Sequence, residues 1–223
     1  MKYIIYDLET TGLSHEKDQP IEIGIIKIDD ATKEIEEYDI FIKPAQPISD
    51  EIKNLTGLTN EMLEEKGVDI SLAMPALFQA MGIRTDGYDE DVIIIGHNII
   101  GFDNLFLRRY AEEMGYKMPE AKHYFDTAGE FRAMLLGEQK HVEEIDHDFH
   151  KRVLSLFAKG VRYNLTAACK HYGVEMPDAA HRANHDCRYT LRVFEKQKGI
   201  ELIPGDPFHK AKSEDDGQDG FNF

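Results

Sequence analysis

The sequence predicts an α/β domain with a mixed central β-sheet flanked by helices. Three observations predict it. Three strand-like segments open the chain, and the last two are joined by turn residues, DDATKE. A fully apolar run, VIII at 92–95, has the character of a strand covered on both faces. Beyond it, segments of helical period alternate with short strands, the pattern of a layered α/β domain.

Residues 2–8 read as the first strand, in which Tyr3, Ile4, Ile5 and Tyr6 lead into Asp7 and Glu9. Residues 21–29, with Ile21, Ile23, Ile25 and Ile28, and residues 35–42 read as an antiparallel pair across the turn. ISDEIKNLTGLTNEML reads as two short helices broken at Gly57. Leu72, Pro75 and Phe78, with Leu77 and Met81, give a helix capped at Gly82. Leu105, Phe106, Tyr110 and Met114 lie roughly on one helical face closed by Gly115, and HYFDT is a short strand ending. Residues 163–173 form an amphipathic helix capped by Asn164 and ended by Gly173. A last helix covers about 184–197. EQKHVEEIDHDFHKR reads as a solvated helix, and 138–160 as a charged insertion. From 199 to 223 the composition is that of an acidic, disordered tail.

The 223 residues suit one sizeable domain with appendages. The chain has no apolar stretch of membrane-spanning length, and Asp7 interrupts the N-terminal apolar run, so neither a membrane anchor nor a secretory signal is expected. Its two cysteines, Cys169 and Cys187, have no zinc spacing and suit reduced thiols in the cytoplasm. A net charge of −16 argues against a broad nucleic-acid footprint. It leaves room for a small one, with a local basic rim from Arg108, Arg109, Lys159, Arg162, Arg182 and Arg188.

Asp7 and Glu9 stand two residues apart on a strand and therefore share a face. At about 5 Å and an effective dielectric near 20, two such charges repel by roughly 3 kcal/mol. Either one is protonated or a cation lies between them. Asp103 opens a helix after the apolar strand, and Asp186 lies near the start of the last helix. An oxygen-only set of this kind suits Mg²⁺ or Mn²⁺ rather than zinc.

DLETTG (7–12), HNIIGFD (97–103) and HRANHD (181–186) strongly resemble the three motifs of the DEDDh, or DnaQ-like, 3′→5′ exonucleases. NLTAACKHYGV is similar to the helix that precedes the third motif in that family. The resemblance covers most of residues 1–197, thins over about 130–160 and is absent from the tail. It implies a ribonuclease-H-like fold and an exonuclease domain over 1–198. It also implies hydrolysis assisted by two divalent ions, Mg²⁺ or Mn²⁺, held by Asp7, Glu9, Asp103 and Asp186. His181 is then the general base. Five residues along a helix turn about 500°, so His181 must lie before the helix to face the same site as Asp186. The sibling class carries a tyrosine four residues before the last aspartate, where this chain has Arg182. His185 ranks below His181 as a base.

Backbone amides of Thr10, Thr11, Gly12 and Leu13 are candidates to hold the 3′-terminal nucleotide, with Leu13 against its base. Asn98 is a candidate donor to phosphate or sugar, and Phe102 a candidate stacking residue. The second motif has three residues between Asn98 and Phe102, as in B-family polymerase proofreading domains, where many bacterial proofreading subunits have two. The implied activity is release of nucleoside 5′-monophosphates from single-stranded 3′ ends, DNA before RNA. A DNA polymerase or other replication protein is the expected partner, through the fold or the tail tip SEDDGQDGFNF. An RNA-trimming enzyme of the same superfamily and a non-catalytic end-binding module are the alternatives.

Overall fold

A computed structural model describes residues 1–176 and 181–205. The expected tail from 206 to 223, including its aromatic tip, lies outside the described residues.

Strand β1 (Lys2–Thr10) is the middle of a five-stranded sheet. It pairs antiparallel with β2 (Pro20–Asp29), which pairs antiparallel with β3 (Ile35–Phe41). On its other side β1 runs parallel to β4 (Val92–Gly96), and β4 runs parallel to β5 (Tyr124–Asp126). The mixed sheet expected from the strand pattern is therefore present. The order β3-β2-β1-β4-β5 brings the carboxyl ends of β1 and β4 to one edge. In open α/β sheets that edge is where ligands bind.

Alternation along β1 sorts its side chains between two helical layers. Ile4, Tyr6 and Leu8 join a core with α3 (Ile70–Ala80) and α4 (Asp103–Met114). Ile5 points the other way, against Cys187, Leu191 and Phe194 of α8 (Ala183–Lys198). Asp7 and Glu9 follow Ile5 by even steps, so they face α8. The two short helices α1 (Asp50–Thr56) and α2 (Asn60–Lys66) cover the β2 end, with Gly57 left-handed between them.

Three segments depart from expectation. Residues 127–136, not foreseen as a helix, form α5 (Thr127–Leu136), because the buried Asp126 carboxylate accepts from the amides of Ala128 and Gly129. The charged segment does contain a helix, α6 (Asp146–Ser155), but it is not solvated: His147, Phe149, His150 and Val153 are buried. Helix α7 (Leu165–Tyr172) follows as expected, capped by Asn164 and closed by left-handed Gly173. Residues 199–205, expected at the head of the tail, continue the fold: Leu202 and Ile203 are buried, and the Glu195 carboxylate accepts both their amides at 2.7 and 3.1 Å. Among the described residues no helix is long and apolar enough to cross a membrane. Both cysteines are free thiols and buried.

Candidate active site

The fold gathers the acids of the three motifs at the carboxyl edge of β1. Carboxylate oxygens of Asp7, Glu9 and Asp186 lie within 4.8 Å of one another. Asp7 and Glu9 come from β1, and Asp186 from the first turn of α8, which lies across the same face of the sheet. Asp103 stands just outside this triangle. It opens α4, is buried, and its Oδ1 accepts the Leu8 amide at 3.1 Å, between the two acids of the first motif. That amide is free because β1 outruns its pairing with β4, which ends at Ile5.

His181 beside Asp186 and the more distant Arg182 oppose the shift only in part, and every carboxyl in the cluster titrates high. Burial pushes Asp7 well above the usual carboxylate range, and the charges of Asp103, Asp186 and Glu9 push it further. Burial, then Glu22 and Asp186, carries Glu9 up to about 9. Burial raises Asp103 to about 7 even though two backbone amides oppose it. Burial raises Asp186 too, against the pull of His181. A site in which every ionised form is disfavoured binds protons until a cation replaces them. The donor set is all carboxylate oxygen around a gap of a few ångström, which fits a hard divalent ion.

Two residues absent from the sequence motifs set where α8 begins. Gly24 lies directly opposite Asp7 in the β1–β2 register. A Cβ there would meet the Ala183 carbonyl carbon at 2.4 Å, so the helix start rests on bare backbone. Glu22, opposite Glu9 and fully buried, then fastens it: its two oxygens accept Arg182 Nε at 2.7 Å and the Ala183 amide at 3.1 Å. Arg182 also reaches Asp39 at 3.2 Å and covers the Phe41 ring. This clamp leaves His181 outside the helix, half exposed, with Nδ1 3.5 Å from Asp186 Oδ2. Neither Glu22 nor Gly24 carries a motif signal, since each acts through a strand register that only the fold supplies. Gly24→Ala should shift the start of α8 and lower activity by about 10²-fold, the cost of roughly an ångström of misplacement. Circular dichroism should show the fold retained, and a Gly24→Ala protein as active as the parent would count against the contact.

The loop after Glu9 is tightly specified. Thr10 Oγ1 donates to the Gly12 carbonyl at 2.7 Å, and Asp18 accepts the Ser14 amide at 2.8 Å and the Thr11 hydroxyl at 3.1 Å. A Cβ on Gly12 would strike the Asp18 carboxylate at 2.6 Å. Leu13 stands 87% exposed at the tip. Asn98 adopts a left-handed backbone (φ 67°), and its carbonyl accepts the amides of Gly101 and Phe102. Phe102 packs partly into the core, edge-on to Phe106 at 5.2 Å.

Asp126 is a further residue that sequence reasoning missed. Besides capping α5 it accepts the amides of Asn98 and Ile100 at 2.9 and 3.0 Å, so it fixes the second motif's loop. His97 ties the same loop to α7's approach: Nε2 donates to the Tyr163 carbonyl at 2.9 Å, and Nδ1 lies 2.9 Å from the Thr127 hydroxyl. Burial lowers the His97 pKa, which suits a neutral structural imidazole.

The expected basic rim is largely dismantled by internal pairing. Arg109 donates to the carbonyls of His15 and Asp18, Arg182 is held by Glu22 and Asp39, and Arg188 forms a two-point pair with Glu37 at 2.6 and 3.0 Å. Arg108, Lys159 and Arg162 remain exposed. His185 lies near Asp39, toward β3.

Comparison with known proteins agrees with this architecture. The chain is 32% identical over 193 residues to a PolC-type DNA polymerase III of Thermotoga petrophila, with 86% of this chain covered and 11% of the polymerase. It is 37% identical over 211 residues to the PolC-type DNA polymerase III of Pediococcus pentosaceus, covering 90% of this chain and 12% of the polymerase. The chain thus spans about a ninth of the length of these relatives. A crystal structure of E. coli exonuclease I in complex with a dA16 oligonucleotide superposes with a TM-score of 0.63 at 19% identity, over 90% of this chain and 41% of that one. The ribonuclease-H-like fold expected from the motifs is the fold of this neighbour. A family model described as Exonuclease, RNase_T, matches residues 4–194, a span that takes in all three motifs and both halves of the sheet edge, and on that match the chain belongs to the RNase_T exonuclease family.

Proposed function

We propose that this chain is a metal-dependent 3′→5′ exonuclease that removes nucleoside 5′-monophosphates one at a time from single-stranded DNA ends. The observation that carries the reading is the convergence of Asp7, Glu9 and Asp186 within 4.8 Å, with Asp103 tied to the same strand. The DNA preference is supported by the oligonucleotide bound to exonuclease I and by the replicative polymerases among the relatives.

Asp7, Glu9, Asp103 and Asp186 are the residues that would hold two divalent ions, Mg²⁺ or Mn²⁺. Such ions, when bound, would supply charge neutralisation at the phosphate and a water acidic enough to react at neutral pH. His181 takes the proton from the attacking water. It lies before α8, half exposed, with Nδ1 facing Asp186, and an ionised Asp186 would stabilise the imidazolium that results. The Thr11 amide, expected to face the substrate, is instead given to the Gln19 carbonyl at 2.9 Å, so the loop's offer to the terminal nucleotide rests on the amides of Gly12 and Leu13, with the exposed Leu13 side chain against its base. Asn98 and the partly exposed Phe102 are the further residues that would touch the terminal nucleotide. The reading places the enzyme in the cytoplasm, with a DNA polymerase or other replication protein as partner.

The test is a time course on 3′- and 5′-labelled DNA and RNA, single- and double-stranded, with Mg²⁺, Mn²⁺ or EDTA. Single-stranded DNA is expected to shorten stepwise from its 3′ end to mononucleotides, with silence in EDTA. Internal cleavage, or RNA shortened faster than DNA, would overturn the assignment.

A further inference from the structure

We propose that the loop at residues 157–162 is a second contact site for the substrate strand, holding nucleotides upstream of the reacting 3′ end. It rests on the exonuclease reading and adds how an acidic protein grips a polyanion.

The chain's acids are unevenly spread. Residues 149–174 contain no Asp or Glu, yet carry Lys151, Arg152, Lys159, Arg162 and Lys170, in a chain of net charge −16. Arg152 is absorbed by Glu138 and Glu144. The loop between α6 and α7 keeps Lys159 and Arg162 exposed. Between them and α6 stands Phe157, 96% exposed, the most exposed aromatic side chain among the described residues. An outward aromatic flanked by two cations, with no acid nearby in sequence, is the composition that stacks bases and tracks phosphates without regard to sequence.

The loop is also fixed relative to the active site. At its start, Arg132 donates to the carbonyls of Leu154 and Leu156. At its end, the Arg132 guanidinium lies 4.5 Å from the centre of the Tyr163 ring, and His97 donates to the Tyr163 carbonyl at 2.9 Å. His97 opens the second motif and is the immediate neighbour of Asn98. The anchored ends tie the loop to the residue that opens the second motif, while Phe157 stays in water.

The experiment compares the parent with Phe157→Ala and with Lys159→Gln/Arg162→Gln on two substrates. One is a long oligothymidylate. The other is the p-nitrophenyl ester of thymidine 5′-monophosphate, which has one phosphodiester and no upstream strand. Phe157→Ala should raise KM for the oligomer by about tenfold, within the range known for a lost base stack. The double variant should flatten the dependence of log KM on log salt by about 1.4, from two phosphates at about 0.7 each. Hydrolysis of the ester should be unchanged. Unaltered oligomer kinetics, or equal losses on both substrates, would overturn the proposal, the latter because it would put the loop's effect on the reacting centre. Anisotropy of a fluorescent oligothymidylate in EDTA reads the same contacts without catalysis. If the parent is inert on both substrates the exonuclease reading falls, and weaker binding by the variants still tests the loop.

Discussion

Replacing Asp7 with Asn is expected to abolish nuclease activity and, in the absence of metal, to make the protein more heat-stable near pH 8. The two effects have one cause. Asp7 sits at the centre of the acid cluster, where burial and the charges of Asp103, Asp186 and Glu9 all disfavour its ionised form. Its folded-state pKa is raised above the unfolded value. The stability tied to it is therefore fully present below the ordinary carboxylate range and is lost as pH rises toward the folded value. Glu9, raised to about 9, and Asp103, raised to about 7, set the window in which the metal-free site becomes strained. Asn removes one charge from that cluster. The expected gain is a few degrees, at about 2–4 °C per kcal/mol for a domain of this size. It should fade toward pH 5, where the parent's carboxyls are protonated. Mg²⁺ should stabilise the parent and not the variant. The lost activity should reach about 10³-fold or more, since metal stabilisation of the transition state is worth several kcal/mol at about 1.4 kcal/mol per tenfold. Differential scanning fluorimetry across pH, with EDTA and with Mg²⁺, and the end-labelled assay together decide it. A variant less stable than the parent at pH 8 in EDTA would show that the acids are not repelling one another.

Substituting His181 with Ala should lower kcat by about 10²–10⁴-fold, the usual contribution of a positioned general base. KM and the metal dependence should change little, because His181 is half exposed and makes no contact that the fold relies on beyond its 3.5 Å approach to Asp186. An imidazole must be neutral to accept a proton, so the parent's rate should fall toward acid. The variant's residual rate should lack that limb. An Ala variant that keeps the parent's pH profile would assign the base elsewhere, and His185, which lies toward Asp39, would be tested next.

Much of this was legible in the residues. The β1–β3 meander, the apolar β4 and the Asn164-to-Gly173 helix follow from alternation, turn chemistry and caps, all of which act over a few neighbours. The five motif residues were legible because their order and spacing are unusual. What escaped depended on distant partners. Helix α5 has a glycine and a buried Arg132 in its middle, and it begins on an aspartate that looks like the end of a strand. Helix α6 hides its inward face behind His147 and His150, polar by letter and buried in fact. Leu202 and Ile203 are a lone apolar pair in a Gly- and Pro-rich stretch, and only the Glu195 carboxylate seven and eight residues earlier reveals that they are held. Arg182 and Arg188, placed on a basic rim, find carboxylates up to 160 residues away, which no local pattern discloses. Glu22 and Gly24 matter only because antiparallel register sets them opposite Glu9 and Asp7.

The four amides that converge on Asp126 come from two separate stretches of chain, Asn98 and Ile100 on one side and Ala128 and Gly129 on the other. One buried carboxylate thereby makes the second motif's turn and the head of α5 a single rigid body. Conformational freedom in that turn is surrendered when the chain folds, not when a nucleotide arrives. Under the proposed function, an incoming strand end would meet a floor already in its working shape, and its binding free energy would not be diminished by ordering the protein beneath it.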